Sequence, residues 1–144
     1  MTTGHKDYSG TPLVRKLGIK DESAVLLISA PDGFVEGLGA LPTGSEIVAE
    51  PVSPIDVVVL FATGEDDLEP FRALAAKLEP SGGLWVAWPK KSSPIPTTLD
   101  FRVVQRTGLA AGLVDNKSCS IDQDWQALRF VIRLADRKPR AGAG

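Results

Sequence analysis

Two kinds of hydrophobic pattern run along the chain, unbroken apolar runs and helical stripes, and the clearest example of each lies beside the other. Residues 57–61 are Val57, Val58, Val59, Leu60 and Phe61, with no polar break. A strand with one wet face would alternate, so an unbroken run predicts a strand covered on both faces, as in a parallel sheet. Asp66 and Asp67 then open a predicted helix, with Glu69 in its first turn, where carboxylates favour the positive end of the helix dipole. Leu68, Phe71, Leu74, Ala75 and Leu78 recur at spacings of three and four and form one stripe towards the sheet. Residues 79–83, with Pro80, Gly82 and Gly83, stop that helix. Residues 84–88 predict the next strand, ended by Pro89, which cannot donate to a ladder. Such a β-α-β crossover is right-handed, which sets the two strands parallel with the helix on one face.

The flanking pattern extends this unit. Residues 1–9 read as a loose lead-in. Thr11 and Pro12 predict a helix start, Leu13, Val14 and Leu17 its inner face, and Gly18 its end. Residues 25–28 are a second solid apolar run. Residues 34–38 suggest a weak helical turn, 41–44 a loop and 46–49 a short strand. Further on, Thr97 or Thr98 is expected to start a helix, Thr97 and Asp100 having capping-box spacing, with Leu99, Val103, Ala110 and Ala111 inward and Gly112 as terminator. Residues 113–121 read as a strand with a polar middle. In the last strand Leu128, Phe130, Ile132 and Leu134 face in while Arg129 and Arg133 face out. The short connection at 122–124 makes this final pair antiparallel. Residues 10–136 therefore form one α/β domain, and 137–144 a disordered basic tail.

Composition removes several classes of chemistry. With 16 Lys and Arg against 18 Asp and Glu, the formal charge is −2, which argues against nucleic acid or an anionic membrane as partner. No apolar run reaches the roughly 20 residues of a membrane span. Cys119 is the one cysteine, so an internal disulfide or cysteine metal site is not expected, and a reducing, cytoplasmic setting fits. The one histidine is His5, in the lead-in. A body without imidazole argues against Ser-His-Asp or Cys-His nucleophiles and histidine metal sites.

A parallel sheet finished by an antiparallel pair resembles the Rossmann-like sheet of class I S-adenosylmethionine-dependent methyltransferases, which ends in an antiparallel strand inserted beside its neighbours. The phrase LEPSGGLWV at 78–86 is similar to the glycine signature before the fifth strand of those enzymes, and residues 56–63 sit where their fourth strand would. A closer resemblance, over nearly the whole chain, is to a family of small bacterial proteins of unknown function, carried by YSGTP at 8–12, LWVAWPKK at 84–91 and GLVDNK at 112–117. The fold expected is thus α/β, Rossmann-like and of class I methyltransferase type: a mostly parallel sheet with a C-terminal antiparallel strand pair. The second resemblance supplies no activity. Where methyltransferases carry a glycine-rich turn after the first strand, this chain has Ala30, Pro31, Asp32 and Gly33. Pro31 has no N–H to offer and only Gly33 lacks a β-carbon. Glu50 stands where the resemblance implies an acid that holds ribose hydroxyls.

Ligands of open α/β sheets bind outside the carboxyl ends of the strands, near the point where strand order reverses. That rule selects Ala30, Pro31, Asp32, Gly33, Thr63, Gly64, Trp88, Lys90 and Lys91, with Glu50 added by the resemblance. Lys90 and Lys91 can receive a phosphate or carboxylate, with Asp32 as polar partner and Trp88 as a flat wall, or simply solvate a loop over a packed Trp88. Tyr8 and Ser9 can fold over that edge or remain part of the lead-in. Asp115, Asn116 and Lys117 suit either an edge strand or a pocket wall. Cys119 reads as a small buried hydrophobe, and Trp125 as a contact residue or a core ring. Two functions follow. The favoured one is a non-catalytic module binding a small anionic ligand or a protein partner, without a cofactor. The other is a minimal methyltransferase with S-adenosylmethionine resting on residues 30–33 and Glu50. Oligomeric state is not legible.

Overall fold

A computed structural model of the chain describes residues 12–50 and 54–137. The strands are β1 (Ala24–Ile28), β2 (Glu46–Val48), β3 (Ile55–Phe61), β4 (Leu78–Pro89), β5 (Leu113–Ser120) and β6 (Trp125–Ile132). The helices are α1 (Leu13–Lys16), α2 (Phe34–Leu38), α3 (Phe71–Ala75) and α4 (Phe101–Ala110). One six-stranded sheet runs in the order β2-β1-β3-β4-β6-β5. The pairs β1–β2, β1–β3 and β3–β4 are parallel, while β6 lies antiparallel between β4 and β5. Strand order reverses at β1, whose neighbours are β2 on one side and β3 on the other.

The unbroken runs are strands buried on both faces. Val58, Leu60, Leu84, Val86 and Trp88 join the core with α3 and α4. Val57, Val59, Phe61, Trp85 and Ala87 join a second core with Leu17 and α2. The indole of Trp85 is fully buried, and its Nε1–H donates to the Leu17 carbonyl at 3.0 Å, which docks the end of α1 on the sheet without leaving a buried donor unpaired.

Several boundaries differ from the sequence expectation. The helix expected from Asp66 is two pieces, a 3₁₀ turn (Glu65–Leu68) and α3: Pro70 has no N–H to bond back to the preceding turn, although Glu69 and Pro70 both keep right-handed helical backbone. Leu68, Phe71 and Leu74 still face the core. Leu78 opens β4 rather than closing the helix: it pairs with Ile55, and Gly83 with Val57, so residues 79–82 bulge out of the ladder. Gly82 is required there, since a Cβ would lie 2.7 Å from the Asp56 carbonyl oxygen. Helix α4 is capped by Asp100, whose carboxylate accepts from Val103 N–H at 3.0 Å. Thr97 does not cap it, because its hydroxyl donates to the Thr63 carbonyl at 2.7 Å. Val104 and Gly108 form the buried face of α4, with Gly108 bare because the Phe130 ring lies against it, while Ala110 is exposed. Leu134 lies beyond β6 and is 79% exposed. The expectations for Tyr8, Ser9, Thr11 and the basic tail from 138 fall outside the described residues.

Candidate functional site

The parallel strands bring the selected residues to one edge of the sheet. Ala30, Pro31, Asp32 and Gly33 follow β1, Glu50 follows β2, Thr63 and Gly64 follow β3, and Trp88, Lys90 and Lys91 end β4. Local chemistry then divides this edge in two.

On the β1–β3 side the edge is occupied by the chain's own side chains. β1 ends abruptly: Ser29 takes φ 60°, a left-handed conformation costly for a residue with a β-carbon, and Gly33 takes φ 86° at the start of α2. This turn delivers Phe34 to the core. Its ring meets Phe61 edge to face at 4.9 Å, and Phe61 meets Trp125 in the same way at 5.2 Å. The row of rings spans the carboxyl ends of β1 and β3 and reaches the start of β6. Trp125 is therefore a packed ring. Pro31 is half-buried, with its carbonyl accepting from Phe34 N–H at 3.1 Å, whereas Asp32 and Glu50 are exposed.

Thr63 and Gly64 already hold an anion, the carboxylate of Asp67. Asp67 Oδ2 accepts from Thr63 N–H at 3.0 Å, from the Thr63 hydroxyl at 3.3 Å and from Gly64 N–H at 3.3 Å. The Thr63 N–H is the largest influence holding the Asp67 carboxyl below its ordinary value, against the opposing effect of burial, with the Gly64 N–H and the Thr63 hydroxyl adding to the lowering. In the sequence Asp67 reads only as a helix-opening acid. Its spacing of four from Thr63 was the available sign of a loop-closing side chain.

On the β4 side the edge is open. Trp88, Lys90, Lys91, Phe101, Arg102 and Gln126 line a groove of about 640 Å³ between the end of β4 and the start of α4. Trp88 is only 4% exposed and belongs to the core, so it forms the groove's floor rather than a free wall. Phe101 is 47% exposed and supplies apolar surface. Lys90 is anchored: its N–H donates to the Asp124 carbonyl at 2.8 Å and its Nζ to Ser120 Oγ at 2.7 Å. Lys91 is exposed. The structure thus separates Lys90 and Lys91 from Asp32 and Glu50, grouping the lysines with α4.

The remaining candidates have structural partners. Asp115, Asn116 and Lys117 lie in β5, which is an edge strand, and the register slips between Asp115 and Lys117. Asp115 accepts from the Gln105 amide at 3.2 Å. Cys119 is half-buried. Burial pushes its thiol upward, with Lys16 and Lys117 opposing, so the nucleophilic thiolate is disfavoured. Among the described residues, no cluster of three or more His, Cys, Asp or Glu could hold a metal, and no helix is long and apolar enough to cross a membrane.

A mostly parallel sheet with an antiparallel strand inserted at its end defines a methyltransferase-like fold, and solved structures agree. The chain is similar to a SAM-dependent methyltransferase from Aquifex aeolicus at 12% identity and a TM-score of 0.57, covering 92% of this chain and 100% of that one. It is also similar to the magnesium protoporphyrin IX methyltransferase from Synechocystis PCC 6803 with bound SAH, at 11% identity and a TM-score of 0.55, covering 90% and 83%. At such identities the likeness is one of fold. The chain itself belongs to DUF3052, a family of proteins of unknown function, whose model matches residues 39–134. Comparison with curated proteins by sequence gives no match.

Proposed function

We propose that this DUF3052 protein is a non-catalytic module that binds a small anionic ligand on a methyltransferase-like scaffold, at the groove beside Lys90 and Lys91. The observation that carries the reading is the row Phe34–Phe61–Trp125, packed on the sheet beside the carboxyl ends of β1 and β3, near which ligands of such sheets enter. With Asp67 already on the Thr63 and Gly64 amides, that side offers a ligand few free donors. The groove at the end of β4 instead combines the cations of Lys90, Lys91 and Arg102 with the apolar faces of Phe101 and Trp88. A few placed charges on an apolar floor suit a flat organic anion. A protein partner presenting an acidic side chain would use the same groups.

A second reading, a minimal S-adenosylmethionine-dependent methyltransferase, is favoured by the fold likeness and its full coverage of the Aquifex chain. Methyl transfer needs no histidine, because holding nucleophile and sulfonium in line lowers the barrier by itself. Calorimetric titration with S-adenosylmethionine and S-adenosylhomocysteine separates the two. The binding-module reading expects no saturable heat up to millimolar ligand, and an anion co-purifying with wild-type protein in native mass spectrometry but absent from Lys91→Gln. Micromolar cofactor binding, lost in Asp32→Ala or Glu50→Ala, would establish the enzyme reading instead.

A further inference from the structure

The opposite, amino edge of the sheet carries a recess that neither functional reading uses. It encloses about 330 Å³ and is walled by Arg15, Lys16 and Lys20 around α1, by Lys117 of β5 and by Arg129 of β6. Asp56 is the one acidic residue among the described residues of that wall, and its Oδ2 is already engaged by the Ala24 N–H at 2.8 Å. Among the described residues of the recess, cationic side chains thus outnumber carboxylates.

Two independent features mark this as more than a charged surface. Arg129 is half-buried against Gly83, and a Cβ on Gly83 would overlap the guanidinium, so the bare glycine makes the space in which Arg129 lies. Among the described residues no carboxylate bonds that guanidinium. Burial first, and then the neighbouring positive charge of Arg137, press its pKa downward. Secondly, the slip in β5 sets Lys117 directly opposite Arg129 across the antiparallel pair. Register places both side chains on the face that carries the recess, where Arg137 adds a further positive charge beside Arg129.

We propose that the recess binds a phosphate-bearing anion, with Arg129 as its planar two-pronged ligand and Lys117, Arg15 and Lys20 closing around it. Guanidinium geometry matches two phosphate oxygens at once, and the flexible ammonium groups add point charges. The site is independent of the groove at Lys90 and Lys91, which lies at the other end of the strands. Bound anion offsets the positive charge gathered around Arg129, so binding stabilises the fold by linkage.

The test is titration of the full chain with inorganic pyrophosphate, followed by ¹H–¹⁵N spectra that include the arginine Nε–H signals, and by thermal unfolding. The expected result is a saturable shift of the Arg129 Nε–H and of the Lys117 and Gly83 amides, with a rise in melting temperature. Arg129→Gln and Lys117→Gln should each weaken binding about tenfold or more, as loss of a charge-assisted contact implies. Lys117 is exposed, so its substitution leaves the fold intact even if Arg129→Gln does not. Arg106→Gln, on the exposed face of α4 and outside both sites, should leave affinity unchanged. Tighter binding of a nucleoside diphosphate than of pyrophosphate would assign the site to nucleotides, and equal binding to the free anion; either upholds it. Shifts that fail to saturate, or affinity unchanged in both variants, would overturn the proposal.

Discussion

The two ends of the sheet are built from the same strands yet differ in what fills them. At the carboxyl edge, beside β1 and β3, aromatic rings pack against one another and the Asp67 carboxylate takes up the Thr63 amide. At the amino edge, a half-buried Arg129 lies over a bare glycine among further cationic side chains, and Asp56 is the one carboxylate among the described residues of the recess. Strand order dictates where crevices form, but the residues at the strand ends decide which stays open.

The contrast can be broken most forcefully at Phe61, the middle ring of the row and 2% exposed. Phe61→Ala should destabilise the protein by about 3–5 kcal/mol, the range for deleting a buried phenylalanine, in urea unfolding. A loss below about 1 kcal/mol would mean the rings line an open space and do not fill one. Asp67→Ala should cost less, about 1 kcal/mol, since the hydrogen bonds it removes are open to solvent. That difference depends on pH. Because the folded carboxyl titrates below its ordinary value of 3.8, the stabilisation is complete above that value and vanishes as pH falls through the lowered one. The stability gap between wild type and Asp67→Ala should therefore be constant near neutrality and close in acid. The smallest effect sharpens the other edge. In phosphate-free, low-salt buffer Lys117→Gln should raise stability by a few tenths of a kcal/mol, by lowering the positive charge gathered around the recess, and the gain should shrink with added salt.

Much of the fold was legible because buried strands write themselves as unbroken runs. Residues 25–28, 57–61 and 84–88 mark β1, β3 and β4, and the short link at 122–124 dictates the antiparallel end. The break before α3 was also readable, since Pro70 stands in the middle of the expected helix. Arg129 was not. Alternation in β6 assigns it to a wet face, yet α1 covers part of that face through Leu17 and Trp85, a contact between residues far apart in the chain. The candidate site was legible as an edge but not as a partition of that edge. Which residues end each parallel strand follows from pattern, whereas the edge-to-face contact of Phe34 with Phe61 and the capture of Thr63 and Gly64 by Asp67 depend on side-chain packing that no periodicity records.

The measurement that reaches the comparison most directly is amide shift mapping of one labelled sample, titrated first with S-adenosylhomocysteine and then with pyrophosphate. A closed carboxyl edge and an open amino edge predict no saturable change at residues 29–33, Glu50, Thr63 or Gly64 with the first ligand. They predict a saturable change at Gly83, Lys117 and Arg129 with the second. Saturable shifts at residues 29–33 and Glu50 with S-adenosylhomocysteine, and none at the amino edge with pyrophosphate, would contradict the account at both ends of the sheet.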